Sequence, residues 1–359
     1  MTNPNDQLPT TNYPLLLRAE IKPKVWGGRN LEKFLGKVLP PSELIGETWE
    51  AWDGLAIENG AARGKLLRDV IARDAEGILG APGNFPLLFK FIDAQDDLSV
   101  QVHPDDAQAR AIEHQPFGKT ESWLILHAEP GARLVYGFNR DVERDKVAAH
   151  IRAGKLIDLL AFLPVQSGDV LFVPAGTVHA IGKGIVLAEI QQNSDTTYRL
   201  YDWDRVGKDR ALHIEQSLRV ASFHRVAGPK IPALTIQHAE HDQQFLIACR
   251  YFTFEKIILR GRAHTTLDRF HIISILAGDA RIEFESGAIA ITRGETFLIP
   301  ARLSAYSIAT KSHCEFLRAC VPDLKRDVIA PLARAGHAPE KIARLGGAIA
   351  AHNDLLPLV

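Results

Sequence analysis

The stretch GDVLFVPAGTVHAI, Gly168–Ile181, decides the fold, because a second copy of it lies further along the chain. GETFLIPARLSAYSI, Gly294–Ile308, aligns with it without a gap, matching the glycine, an acidic residue, three apolar residues and the proline. Each copy reads as strand, tight turn and strand. Two copies of one such unit imply two related β domains. The copies part company where chemistry would sit: His179 falls opposite Ala305, and Gly176 opposite Arg302. Only the first copy can offer a metal ligand at that position.

The rest of the chain agrees with a β-rich reading. FPLLFKFIDA, ESWLILHAE, GARLVYGF, GIVLAEIQQ, TTYRLYDWD, FTFEKIILR and FHIISILAGDARIEFESG are short strand-like runs separated by Gly, Pro and Asp. That pattern predicts antiparallel sandwiches or barrels. LLRDVIARDAEGIL and DVERDKVAAHIRAGKLIDLL read as helical; in the second, Val147, Ile151, Leu156 and Leu159 lie near helical spacing and Asp141 is placed as an N-cap. The expected division is a first β domain over 1–235 bearing a metal site and a second over 236–320 without one. An Ala-, Arg- and Leu-rich helical extension over 321–359 follows.

Composition narrows the function classes. The 359 residues are 46% hydrophobic and 24% charged, as in an ordinary globular protein. With 42 basic against 43 acidic residues, nothing suggests a nucleic-acid or anionic-membrane partner. An anionic ligand must therefore be held by local cations. Three cysteines, Cys249, Cys314 and Cys320, are too few for a disulfide framework and lack zinc-cluster spacing. The polar opening MTNPNDQLPTTN carries no signal pattern, and no apolar run reaches 18 residues. The expected location is cytoplasmic; the oligomeric state is left open.

A second stretch, LSVQVHPDD (Leu98–Asp106), alternates apolar Leu98, Val100 and Val102 with Ser99, Gln101 and His103. Period-2 alternation puts Gln101 and His103 on one strand face. In GDVLFVPAGTVHAI the spacing of Gly168, Pro174, Gly176 and His179 resembles the second motif of cupins, in which a strand delivers a histidine into a small barrel. Lys183 stands where that pattern often has an asparagine. Many cupins carry two histidines one residue apart in their first motif; here Gln101 takes the first place, a mixed donor set that suits a borderline ion such as zinc. Glu121, heading the apolar strand of FGKTESWLIL, is a third candidate. Taken singly, each has an ordinary alternative as a solvated, hydrogen-bonded or turn-capping residue.

Together with PLLLRAEIKPKVWGGRNL, IGETWEAWDG, FPLLFKFIDAQDDLSVQVHPDD, GKTESW and LAEIQQNSDTTYRLYDWDR, these motifs resemble the short form of the class I mannose-6-phosphate isomerases over roughly residues 13 to 320. The resemblance implies a mainly β chain of two cupin-type jelly-roll barrels, the second degenerate. It implies one zinc ion per chain held by Gln101, His103, Glu121 and His179. Lys90, flanked by apolar residues in FPLLFKFID, reads as a buried lysine in need of an anion, with a lysine snorkelling from a strand edge as the alternative. The resemblance further implies Lys90 and Ser99 as phosphate contacts, Arg199 and Asp195 as active-site groups, and Lys119 in catalysis or phosphate contact. Glu189 matches a family glutamate and reads equally as a hydrogen-bond partner behind the ligands. Thr197, Arg199 and Tyr201 are expected on one strand face. Trp52 stands where the family usually has a serine, which would alter the cavity wall. His114, His127 and His213 have no such context. The implied reaction is aldose–ketose isomerisation of a phosphosugar through an enediol. An isomerase of another phosphosugar, or a non-catalytic sugar-binding cupin, fits the same fold; Arg199, Asp195 and Lys119 favour an enzyme. Gln101 argues against an iron dioxygenase.

Overall fold

The strand within FPLLFKFIDA shows how the layers stack. Leu87–Ala94 is buried along its whole length, and alternation sends Phe89 and Phe91 to one face and Lys90 and Ile92 to the other. It lies third in a six-stranded antiparallel sheet ordered Glu20–Gly28, Ile45–Ala51, Leu87–Ala94, Ile185–Gln192, Glu121–Ala128 and Val170–Val173. The structure is a computed structural model that describes residues 11–205 and 211–359.

One face of this sheet packs on a ten-stranded sheet built mainly from residues 234–320. Phe89, Phe91 and Ile190 meet Phe254, Ile272 and Leu317 there in the largest apolar core. The other face meets a five-stranded sheet ordered Tyr198–Tyr201, Val100–Val102, His179–Ala180, Arg133–Phe138 and Leu160–Pro164. Trp123, Leu134, Tyr136, Leu171 and Leu187 fill part of the gap between these two sheets, and polar side chains line the rest. The chain is mainly β with cupin-type topology, as expected. Its described ladders form three sheets. The five- and six-stranded sheets face each other as the first barrel, and the single ten-stranded sheet folds into the second through the long strand His271–Phe284. Neither ladder set closes into a cylinder.

The sequence repeat is also a repeat of position. Val173 is paired with Glu121 at the edge of one sheet, and Ile299, its aligned counterpart, is paired with His271 in the other. The halves are also tied together: Leu15 and Leu16 pair with Leu298 and Phe297. Lys37 Nζ lies 2.6 Å from Glu50 Oε2 and also reaches the Gly294 carbonyl, while Thr296 Oγ1 donates to the same Glu50 oxygen at 2.9 Å.

The helices depart from expectation in detail. LLRDVIARDAEGIL is broken at Asp74 into Leu67–Arg73 and Ala75–Leu79, and the Asp74 carboxylate caps the second by accepting from Gly77 N–H. Asp141 is not an N-cap: it accepts from Arg225 N–H at 2.7 Å, and the helix Arg144–Arg152 starts after Glu143 with no side-chain cap. That helix stops before Gly154, whose φ of 66° a helix cannot continue. Leu156 and Leu159 belong to a separate 3₁₀ turn. In the C-terminal extension, the π-helical Leu324–Ile329 and helices Ala330–Arg334 and Pro339–Arg344 carry Val328, Leu332 and Ile342 into the main core. No described helix is long and apolar enough to cross a membrane.

Glu50 is 1% exposed and couples strand Ile45–Ala51 to the second half of the chain. Removing one partner of a buried ion pair strands the other charge and costs about 3–5 kcal/mol. Glu50→Ala is expected to lower stability by that amount in urea unfolding; a loss below about 1 kcal/mol, the range of exposed pairs, would contradict this role.

Candidate metal centre

Register brings the polar residues together. Gln101 pairs directly with His179 on one side and Arg199 on the other, so all three share one face of the five-stranded sheet. Ser99 and His103 extend that face along the strand by alternation. On the opposing sheet Trp49, Lys90, Glu189 and Trp123 form a row of direct neighbours, and Glu121 lies two residues before Trp123. The two faces meet across the gap. His103, Glu121 and His179 arrive with ligand atoms all within 4.8 Å of one another, each side chain buried.

His103 Nε2 is 3.6 Å from Glu121 Oε2, and His179 Nε2 is 3.2 Å from Glu121 Oε1. The far nitrogens are engaged: His103 Nδ1 lies 2.9 Å from the Thr196 carbonyl and His179 Nδ1 2.9 Å from the Thr177 carbonyl. A ring N–H donated to a carbonyl fixes the tautomer and leaves Nε2 as an unprotonated acceptor. Burial lowers both pKa values, His179 to about 4 and His103 well below the usual range, so both rings are neutral. His103 Nε2 and both Glu121 oxygens are buried without a hydrogen-bond partner. Lys119 Nζ sits 3.2 Å from Glu121 Oε2 but off hydrogen-bonding directions. Buried polar atoms left bare in this way are costly. Two neutral imidazoles and a carboxylate converging on one point fit a divalent cation of the zinc type. Gln101 presents its amide nitrogen to His179 Nε2 at 3.3 Å. A half-turn of the amide exchanges its nitrogen for its oxygen in nearly the same volume.

Beside this group lies a cavity of about 200 Å3, walled by Lys90, Ser99, Gln101, Lys119, Asp195 and Arg199, so the expected site residues gather around one void. Lys90 is not a lysine at a strand edge. Its ammonium is buried 3.2 Å from Glu189 and 3.6 Å from Glu47. Burial alone would push its pKa down, yet Glu189 and Glu47 outweigh it and raise it. Glu47 answers in kind: burial raises its carboxyl, but Lys90 and Lys24 hold it down at about 2. Trp49 Nε1 also donates to Glu47 at 2.8 Å. Burial and the nearby Glu121 raise the pKa of Glu189, whose second oxygen accepts from Trp123 Nε1 at 3.1 Å. Arg199 is held by Nη1 donating to the Ala211 carbonyl at 3.0 Å, and Asp195 is exposed at the cavity wall.

Two expectations are corrected. A bulge between Arg199 and Tyr201 sets Tyr201 opposite Val100, so it packs with the apolar cluster while Thr197 and Arg199 line the cavity. Trp52 follows another register shift, lies against the main core and does not wall the cavity. Sequence reasoning missed Glu47 and Lys24; the alternation of Glu47 and Trp49 within IGETWEAW was the signal for Glu47. His127 stacks on Phe34, and His213 Nδ1 accepts from Arg199 N–H at 3.3 Å. His114 is exposed at a helix C-terminus.

With that geometry in place, comparisons with known proteins decide the family. Residues 15–123 match the catalytic domain of type I phosphomannose isomerases, and residues 241–321 match the mannose-6-phosphate isomerase cupin domain. Mannose-6-phosphate isomerase of Streptococcus mutans is 38% identical over 303 residues, covering 82% of this chain and 94% of that one. The chain belongs to the type I phosphomannose isomerases. Mannose-6-phosphate isomerase ManA of Bacillus subtilis is 35% identical over 85% of this chain and 98% of its own length. The crystal structure of mannose 6-phosphate isomerase from Bacillus subtilis superposes with a TM-score of 0.79 at 31% identity, covering 85% of this chain and 99% of that one. A type I phosphomannose isomerase is an aldose–ketose isomerase, and this one has a candidate metal site of two histidines and a glutamate.

Purified protein is expected to carry about one divalent metal per chain, as a single tetrahedral-type site requires, and His103→Ala and His179→Ala should each bring that to near zero with circular dichroism unchanged. Chelation should also lower the unfolding temperature, because a ligand bound only by the folded chain adds about 2.7 kcal/mol at a hundredfold excess over its Kd. Elemental analysis showing two tightly held metals, or no loss in either variant, would refute the assignment.

Proposed function

We propose that this chain interconverts mannose 6-phosphate and fructose 6-phosphate at the cavity beside His103, Glu121 and His179, with one zinc ion held by these three and Gln101. The observation that carries the reading is the convergence of two neutral imidazoles and a buried carboxylate that has Lys119 beside it but no hydrogen-bond donor, next to a cavity with balanced charge. Lys24, Lys90, Lys119 and Arg199 face Glu47, Glu189, Asp195 and Glu121, four cations against four carboxylates. The walls alone are neutral, and a divalent cation leaves a positive excess that matches the dianionic phosphate of the substrate.

When bound, zinc supplies Lewis acidity toward charge that develops on sugar oxygens. The remaining work falls to the chain. Ser99 and Lys90, on opposite sheets, bind the phosphate, with the Lys90 ammonium kept in place by Glu189 and Glu47. Binding energy from the phosphate fixes C1 and C2 for reaction. Arg199, permanently cationic and anchored through Ala211, stabilises the enediolate oxygens. Asp195, on the open side of the cavity, handles the proton of ring opening, and Lys119 donates to a substrate oxygen. The apolar cluster of Trp123, Leu171 and Leu187 excludes water from the closed side.

A coupled assay for fructose 6-phosphate tests this. His179→Ala should abolish turnover, and Arg199→Ala should lower kcat about 10²–10³-fold, the usual effect of losing a group that stabilises developing charge. Chelator should stop the wild-type reaction and zinc restore it. Normal turnover in either variant, or activity indifferent to chelation, would overturn the reading.

A further inference from the structure

The second barrel repeats the frame of the first with its chemistry replaced. Antiparallel register gives the equivalences directly. Lys90 opposite Glu189 becomes Glu255 opposite Arg318, and the Glu47 position, two residues along the neighbouring strand, becomes Gln243. Glu121 opposite Val173 becomes His271 opposite Ile299, and Gln101 opposite His179 becomes Thr266 opposite Ala305. In the first barrel a central ammonium is flanked by two carboxylates. In the second a central carboxylate is flanked by a guanidinium and an amide: Arg318 Nη2 reaches Glu255 Oε2 at 2.5 Å, and Gln243 Nε2 donates to the same oxygen at 3.0 Å. The polarity is inverted on one scaffold.

A barrel that had merely lost its metal would be expected to refill with apolar side chains, since a buried ion pair is a poor stabiliser compared with packed hydrocarbon. Instead the interior holds adjoining cavities of about 490 and 300 Å3 that share Gln243, Thr265, Thr266 and Arg318 in their walls. His271 Nδ1 is 2.9 Å from Tyr306 Oη, with the ring lining the larger cavity and the phenol the smaller. The larger cavity is balanced in charge: Arg318 pairs with Glu255, and Arg269 and Arg326 pair with Asp268 and Asp327. Every cation there already has its carboxylate, which disfavours an anionic ligand. The old ligand positions now hold Thr266, Ala305 and His271, whose Nδ1 is engaged with Tyr306. No second group of three converging ligand side chains occurs among the described residues, so a metal is disfavoured too. A wall of alternating donors and acceptors without net charge suits hydroxyl groups.

We propose that the second barrel is a separate binding site for an uncharged polyhydroxylated molecule, a free sugar or sugar alcohol, recognised by Gln243, Thr265, Thr266 and the Arg318–Glu255 pair. Calorimetric titration of the zinc-loaded protein with D-mannose, D-fructose and D-mannitol, and with inorganic phosphate, tests it. At least one polyol should bind saturably, and His179→Ala, which acts on the first barrel, should leave that binding within twofold. Gln243→Leu and Thr266→Trp, the second narrowing the shared wall, should each weaken it at least tenfold with the unfolding temperature and isomerase activity retained. Both variants leave the buried Arg318–Glu255 pair intact, so loss of folding does not confuse the result. No saturable polyol binding, polyol binding lost in His179→Ala and kept in both second-barrel variants, or phosphate binding abolished by Gln243→Leu would overturn the proposal.

Discussion

The carboxylate of Glu121 is the constraint around which the first barrel is arranged. It is buried between two histidine rings that burial keeps neutral, with no hydrogen-bond donor on either oxygen. The Lys119 ammonium, 3.2 Å from Oε2, supplies part of the charge it needs, and a divalent cation among Oε1 and the two imidazoles would supply the rest. Its neighbours are fixed beforehand: the Thr196 and Thr177 carbonyls hold the imidazoles with Nε2 toward Glu121. Burial, tautomer and register thus all point at one location, and the cavity proposed for the substrate borders it.

A second constraint is the sharing of one sheet between two tasks. Strands Leu87–Ala94 and Ile185–Gln192 send Phe89, Phe91 and Ile190 into the core between the halves and Lys90 and Glu189 toward the cavity. The polar row is therefore backed by the largest apolar core among the described residues. Close packing limits the freedom of these side chains and keeps the Glu47–Lys90–Glu189 array in place. Rigidity at the site follows from the core behind it.

Much of this was legible in the sequence, for local reasons. The alternation in LSVQVH and the Gly–Pro–Gly–His spacing of GDVLFVPAGTVHAI each depend on a single segment, and the residues they select do meet. Lys90 was recognisable as a buried lysine in need of an anion. That Glu189 and Glu47 are its partners was not visible, because it depends on which strands lie beside Leu87–Ala94. Nor was the bulge that turns Tyr201 away from Arg199, since period-2 reading presumes an unbroken strand. Asp141 had the right residue type for a cap, but a tertiary contact with Arg225 claimed it. The charge inversion in the second barrel was hidden likewise, for Glu255 and Arg318 are 63 residues apart in sequence.

The most direct test of the central claim is an anomalous difference map at the zinc edge from crystals of the metal-loaded protein. One peak per chain is expected, about 2.0–2.2 Å from His103 Nε2, His179 Nε2 and a Glu121 oxygen. A peak in the second barrel, or none among these three side chains, would contradict it.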